Sequence, residues 1–305
     1  MDIYSDLLVE LIEKNNIECG NELSPSKFSR LKHNITLEKY SIDNKKQSEY
    51  YQKEIGVYSL ISIPDILYVE NDFLNYVSEI IFKELKSLIK IKNSDKVLVV
   101  GLGNRHISSD SLGVKSVSKV NITIETKFFP KVMAICPSVL GLTGIETYDI
   151  ISGVINNVKP THLILIDSLC ASDVSRLCKS IQISNTGLCP GAGIGNKRRC
   201  IDKSIVDNVV TIGIPLLIYA NTFIKNSFSK NKVDIGEINS ILQTLKKSNK
   251  NDGICNILNK IKDVYDCSFE DMIVSTKDVE ECVEKLSVVI SNAINKALGV
   301  DGIKT

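Results

Sequence analysis

The apolar positions of this chain fall into short strand-like runs, separated by longer stretches in which they recur every three or four residues. The strand-like runs are VYSLISI at 57–63, VLVV at 97–100, KVMAIC at 131–136, HLILI at 162–166, IQIS at 181–184 and VVTIGI at 209–214, of which VLVV is continuous. Short apolar runs without alternation mark strands covered on both faces, as in a parallel sheet. Between them the period lengthens to that of a helix. Phe73, Val77, Ile80, Ile81, Leu85, Leu88 and Ile89 share one face of a helix expected over 73–92. A second helix is expected from about Asp110 to Val120. Thr143 with Glu146 three residues later has the spacing of a capping box, and Ile145, Tyr148, Ile151, Ile155 and Val158 continue it as a helix that Pro160 stops. Pro215 opens a helical pattern toward Phe223. A long amphipathic stretch at 276–298 closes the chain and ends at Gly299. Strand and helix alternate with no internal repeat. The pattern predicts a single α/β domain over 1–305: three layers, with a mostly parallel central sheet covered by helices.

Two regions stand outside this rhythm. Residues 1–50 hold one short amphipathic segment, Leu7 to Ile12, before a polar stretch; LKHNITLEKYSIDNKKQSEYYQKE within it reads as an exposed irregular region or edge strands. Residues 225–271 are rich in Lys, Asn, Ser and Asp around one amphipathic piece at Ile238–Leu245, and read as a flexible insertion. Composition narrows the class. With 37 basic and 36 acidic side chains among 305 residues, charge makes no case for nucleic acid or an acidic membrane as a partner. No apolar run approaches the roughly 18 residues of a membrane span, and the amino terminus MDIYSDLLVELIEK is too acidic for a signal peptide. Nine cysteines without a CxxC, and three histidines without zinc spacing, are expected to be reduced thiols in an intracellular, soluble protein.

The candidate chemistry gathers at 97–113, VLVVGLGNRHISSDSLG. A buried strand runs into Gly101 and Gly103, and Asp110 follows where a helix is expected to begin. In open α/β sheets, ligands bind beyond the carboxyl ends of the strands. The run HLILI delivers a second carboxylate, Asp167, to the same edge. Each acid has a plain structural reading, meeting a helix dipole or capping the turn after a strand; two at one edge call for a joint explanation. GLGNRH lacks the third glycine and the later acidic residue of a dinucleotide fingerprint. PGAGIGNK at 190–197 lacks the Gly-Lys-Ser/Thr of a P-loop, although its amides and basic residues suit a peptide backbone or a carbonyl oxygen. Cys170 offers a nucleophile, with His106 or His162 as partner, but free cysteines are more often buried small hydrophobes, and His162 begins a strand, away from the site edge. His106 with the two aspartates offers a metal-assisted alternative, and the Gly-rich loop alone a non-catalytic peptide binder.

VLVVGLGN followed by SSDSLG, then PSVLGLTGIET, ILIDSLCA and IQISNTGLCPGAGIGNKR, resembles the germination proteases of spore-forming bacteria, which degrade the small acid-soluble proteins that coat spore DNA. YSDLLVE near the start resembles the family's processing region, and VSTKDVEECVEKLSVVISNAINKALG its closing helix, so the resemblance runs nearly end to end. It implies an atypical aspartic endopeptidase without a cofactor, made as a zymogen, tetrameric, active in the cytoplasm of the forespore or spore core, and similar in fold to hydrogenase-maturation peptidases. The resemblance puts the essential pair on Asp110 and Asp167. Supporting or substrate-binding positions are then Asn104, Thr143, Glu146, Gly191, Gly193, Asn196 and Lys197, and the propeptide bond is Asp6–Leu7, releasing residues 1–6. The chain departs from the family pattern at Asn185, Cys189 and Ala192, where the family has Asp, His and Ser.

Overall fold

The computed structural model describes residues 4–19, 23–124, 128–189, 199–230 and 272–302. Helix α1 (Leu8–Cys19) precedes strands β1 (Lys27–Arg30) and β2 (Thr36–Ile42), helix α2 (Lys45–Tyr51) and strand β3 (Gly56–Ser62). Helix α3 (Asn71–Leu88) leads into β4 (Lys96–Gly101), a 3₁₀ turn at Ser108–Asp110, α4 (Leu112–Val117) and β5 (Lys131–Ile135). Then come α5 (Leu140–Thr143), α6 (Thr147–Val158), β6 (His162–Cys170), β7 (Ser180–Ser184) and β8 (Asn208–Tyr219). Helix α7 (Ala220–Lys230), the short β9 (Ile273–Val274) and α8 (Val279–Leu298) complete the order.

One sheet carries the strands in the order β1-β2-β3-β7-β8-β6-β4-β5, with β9 against the end of β8. The pairings β8–β6, β6–β4 and β4–β5 are parallel, and the others are antiparallel. By direction, β1, β3, β4, β5, β6 and β8 run one way, and β2, β7 and β9 the other. The sheet is therefore mostly parallel, and β8 is the seam between its parallel and antiparallel halves.

The two faces are covered differently. On one, Val97 and Val99 of β4, Ile164 and Ile166 of β6, and Val210 and Ile212 of β8 pack with α3, α4 and α8 into a core that continues beneath β3 and β7. Each such buried side chain contributes about 1.5–3 kcal/mol. On the other face the apolar cover is in two pieces. Leu98, Val100, Leu163 and Leu165 pack with Ile151 and Ile155 of α6. Leu7, Leu8 and Ile12 of the amino-terminal segment pack on Tyr58, Leu60 and Ile218. Between the pieces the alternation of β7 and β8 presents Gln182, Ser184, Thr211 and Gly213, while their neighbours Ile181, Ile183, Val210 and Ile212 serve the continuous core. Polar and glycine positions in otherwise apolar strands thus leave a trough on one face only.

Helices α3 and α8 occur where the 3.6-residue period places them, α8 closed by Gly299 at φ 70°. Four expectations need correction. Pro215 does not open a helix: β8 runs on to Tyr219, and the proline faces Leu169 next to a bulge at Leu169/Cys170. A residue without an N–H is tolerated at such an irregularity. The helix after Asp110 starts two residues later than expected, at Leu112, and Asp110 ends the 3₁₀ turn before it. Thr143 and Glu146 form no capping box. Glu146 is itself the N-cap residue of α6 without a side-chain bond, and the Thr143 hydroxyl instead bonds the N–H and carbonyl of Ile145. Lastly, Cys189 and Cys200 form a disulfide, because the antiparallel bridge between Leu188 and Ile201 sets them opposite each other. Cys136, Cys170, Cys178 and Cys282 are free thiols.

The polar region after α1 holds the edge strand β1, its neighbour β2, and also α2, whose N-cap Asn44 accepts the Gln47 N–H at 3.0 Å. Of the expected insertion, 225–230 belong to α7, and 231–271 lie outside the described residues. No helix among the described residues is long and apolar enough to cross a membrane.

Candidate active site

Asp110 is placed by a tight fold-back of the chain after β4. Gly103 adopts φ 102°, where a side chain is strained, and a Cβ there would stand 2.0 Å from the Asp110 carbonyl oxygen. The turn lets the Asn104 N–H reach Asp110 twice, its carbonyl oxygen at 2.9 Å and its Oδ2 at 2.9 Å. Gly113 performs a similar service one turn on. A Cβ at Gly113 would come within 2.5 Å of the Ile166 carbonyl oxygen, so the start of α4 lies directly against β6. Glycine is the residue type that allows this approach, and it carries Asp110 to the neighbouring strand.

Asp167 lies within β6, not at its end. Pairing with β4 stops at Gly101↔Ile166, whereas pairing with β8 continues through Asp167↔Gly213 to Cys170. Strand β6 therefore outruns β4, and the space vacated where β4 turns away is where Asp110 enters. This crevice at the carboxyl ends of adjacent parallel strands is the usual ligand position of open α/β sheets. Burial raises the Asp167 carboxyl well above the ordinary aspartate range, the charge of Asp110 raises it further and that of Asp6 adds to both, against one opposing bond from the Ser168 N–H at 2.9 Å. Burial likewise pushes Asp110 up to about 6, opposed by its bond from Asn104. Both carboxyls are thus raised, and the more deeply buried Asp167 is the one that burial and its like-charged neighbours favour as the holder of a proton.

Both acids face a cavity of about 1160 Å³ lying over the polar trough. Ser138, Val139, Leu140 and Gly141 form one wall, and Gly187, Leu188 and Cys189 lie at another side. The remaining wall is the chain's own beginning, since Tyr4 and Asp6 line the cavity together with Lys53 and Glu54. Asp6 is docked on the end of β6: its N–H donates to the Cys170 carbonyl at 2.9 Å, and its Oδ2 accepts the Cys170 N–H at 2.8 Å. Glu10, buried one turn later, accepts from the N–H groups of Ser172 and Asp173 and from the Ser5 hydroxyl, which fixes the segment's path.

The other residues singled out in the sequence divide into three groups. Asn104 joins the site through Asp110. Thr143 is exposed, Glu146 is half-buried, and neither lines the cavity, although Thr147 does. Gly191, Gly193, Asn196, Lys197 and Ala192 lie outside the described residues. Asn185 has a structural task, accepting the Val57 N–H at 2.7 Å. Cys170 is buried, and burial followed by the charge of Asp6 drives its thiol far up, the opposite of an activated nucleophile. His162 is buried at the start of β6 beside Thr161 and Asp95, and His106 is exposed. Among the described residues no group of three or more His, Cys, Asp or Glu is arranged to hold a metal ion. Lys53 and Gln182 were not foreseen. Gln182 had a signal, as the one uncharged amide within the apolar run IQIS; Lys53 had none.

A family model described as "Germination protease" matches residues 21–230. The germination protease of Clostridium perfringens strain SM101 is 32% identical over 316 residues, which is 97% of this chain and 95% of that protein. That of Clostridium tetani is 34% identical over 323 residues, covering 98% and 96%. Among solved structures, a [NiFe] hydrogenase maturation protease, HycI from Thermococcus kodakarensis, is similar with a TM-score of 0.36 at 12% identity, over 70% of this chain and 99% of that one.

Proposed function

Since the chain belongs to the germination protease family and is thus a peptidase of spore germination, we propose that it cuts small acid-soluble spore proteins with Asp110 and Asp167 acting on one water. The observation that carries this reading is two carboxyl groups facing one cavity, with raised proton affinities that differ. Like charges so close do not both ionise readily, and a shared proton sorts them into a base and an acid. Ionised Asp110 takes a proton from the water as its oxygen adds to the peptide carbonyl carbon. Protonated Asp167 gives its proton to the departing amine. The pair titrates as a unit, so the roles belong to the two together.

The proposal extends to self-processing. The segment Tyr4–Asp6 lines the cavity, while Leu7 and Leu8 are buried in the core beside it, so the Asp6–Leu7 bond lies where the cleft meets the core. Cutting there releases residues 1–6 and clears one wall of the cleft. The resemblance to the family further supports a homotetramer working in the spore core. The test is to incubate the protein with a small acid-soluble spore protein, with and without chelator, and identify the products by mass spectrometry. Discrete internal cuts that survive chelator and vanish in Asp167→Asn support the reading. Tight association without cleavage, or activity lost to chelator, overturns it.

A further inference from the structure

The cleft holds a second polar arrangement that the acid pair does not use. The carbonyl oxygen of Asp6 accepts a bond from Lys53 Nζ at 2.9 Å and another from Gln182 Nε2 at 3.3 Å. Gln182 turns its own oxygen to the Leu8 N–H at 2.9 Å, so this one amide brackets Leu7, from the Asp6 carbonyl before it to the N–H after it. Sheet register shows where that amide lies relative to the acids. Asp167 pairs with Gly213, and Gly213 pairs with Gln182, which sets all three in one row on one face. Strands are about 4.8 Å apart, so Asp167 and Gln182 are separated by roughly 10 Å with only a glycine between them. A Cβ at Gly213 would come within 2.5 Å of the Leu169 side chain. Glycine at the middle of the row thus makes room for the Leu169 side chain, and the acid at one end and the carbonyl clamp at the other line the same cavity.

Resting on the reading of Asp6–Leu7 as the self-processing bond, we propose that Lys53 and Gln182 are catalytic residues that hold the carbonyl oxygen of the residue preceding the cleaved bond. They do so first in the enzyme's own amino-terminal segment and then, once that segment has left, in the substrate. Water adds to the carbonyl carbon, and the π electron pair of the C=O moves onto the oxygen already held by an ammonium and an amide N–H. The C=O bond then re-forms, the C–N bond breaks, and the leaving nitrogen takes the proton from Asp167, giving a carboxylate and an amine. A preorganised cation and N–H aimed at a developing oxyanion act in a partly water-excluded site, where each such donor is worth about 10²–10³ in rate. Burial makes the ammonium of Lys53 less basic than usual, while the charges of Asp6 and Glu54 support it.

The test uses the full chain and a synthetic peptide of its first 14 residues, MDIYSDLLVELIEK, with mass spectrometry to follow the new terminus at Leu7 in both. Lys53→Met and Gln182→Leu are each expected to lower kcat for the peptide about 100-fold with KM held within about threefold. Lys53→Arg should recover most of the loss. A residue needed only for folding would not divide kcat from KM in this way. A kcat within about threefold of wild type in Lys53→Met, or a loss entirely in KM, overturns the proposal. If Lys53→Met does not fold, Gln182→Leu and Lys53→Arg are judged by the same criteria. Undiminished cutting in Asp167→Asn overturns the acid pair instead and leaves the clamp to its own variants. Failure of the wild type to cut at Asp6–Leu7 in either format removes both.

Discussion

Asp110→Asn should make the folded protein more stable at neutral pH while removing its activity. In the folded chain burial moves this carboxyl from the ordinary 3.8 to about 6. Between those two values the folded state holds a proton that the unfolded state has lost. Folded stability therefore falls as pH rises through that window and is level above it. A shift of about two units corresponds to at most about 3 kcal/mol, and solvent in the open cleft reduces it, so about 1–3 kcal/mol is expected. Asparagine carries no charge to bury, and its side-chain oxygen can still accept the Asn104 N–H that now reaches Asp110 at 2.9 Å. Urea unfolding of both proteins at about pH 7.5 should show this gain, and at about pH 3.5 the two should unfold alike. The same preparation assayed on a small acid-soluble spore protein should be slower by about 10²–10⁴. An asparagine variant less stable than wild type at neutral pH, or a gain that persists at the acid end, would refute the argument that ionised Asp110 is a strained group.

Three further outcomes are expected. Initial rates of proteolysis should climb about tenfold per unit of pH below about 6, as Asp110 ionises, and decline only at a pH well above the usual carboxylate range, as Asp167 loses its proton; rates that stay flat down to pH 5 contradict the assignment. Gly103→Ala should cost at least about 1–2 kcal/mol from its positive φ alone, and must also displace Asp110, because the new Cβ would stand 2.0 Å from that residue's carbonyl oxygen. Thermal unfolding and kcat should therefore fall together. Cys170→Ala and Cys136→Ala should keep near-normal activity, and stoichiometric inactivation by a disulfide-forming reagent that modifies Cys170 alone, reversed by reduction, would restore a thiol mechanism.

The parts of the fold that could be read from the sequence are those with local causes. VLVV and HLILI are too short and too apolar to be anything but buried strands, and each is followed by the acid it delivers. Asp110 and Asp167 stood out for that reason. Pro215 misled because proline at the first position of a helix and proline at a β-bulge look alike along the chain. Only the partner strand, with its irregularity at Leu169/Cys170, tells them apart. The third wall of the cleft was illegible because its contacts join distant positions: Asp6 to Lys53, Cys170 and Gln182. The Cys189–Cys200 disulfide was missed for a related reason, since the bridge that aligns the two residues is a tertiary pairing and leaves no mark in their spacing.

The division of the apolar cover on one face bears on how the molecule comes apart. The continuous core under α3, α4 and α8 joins both halves of the sheet and ties those elements together. The small patch that α1 makes on Tyr58, Leu60 and Ile218 lies across the trough from the other patch and shares only strands with it. That patch is expected to lift away at a fraction of the global free energy. Amide exchange should accordingly be fastest in α1 and slowest in β4, β6 and β8. The proposed removal of the first residues would then leave the far side of the sheet folded while the cleft opens to another chain.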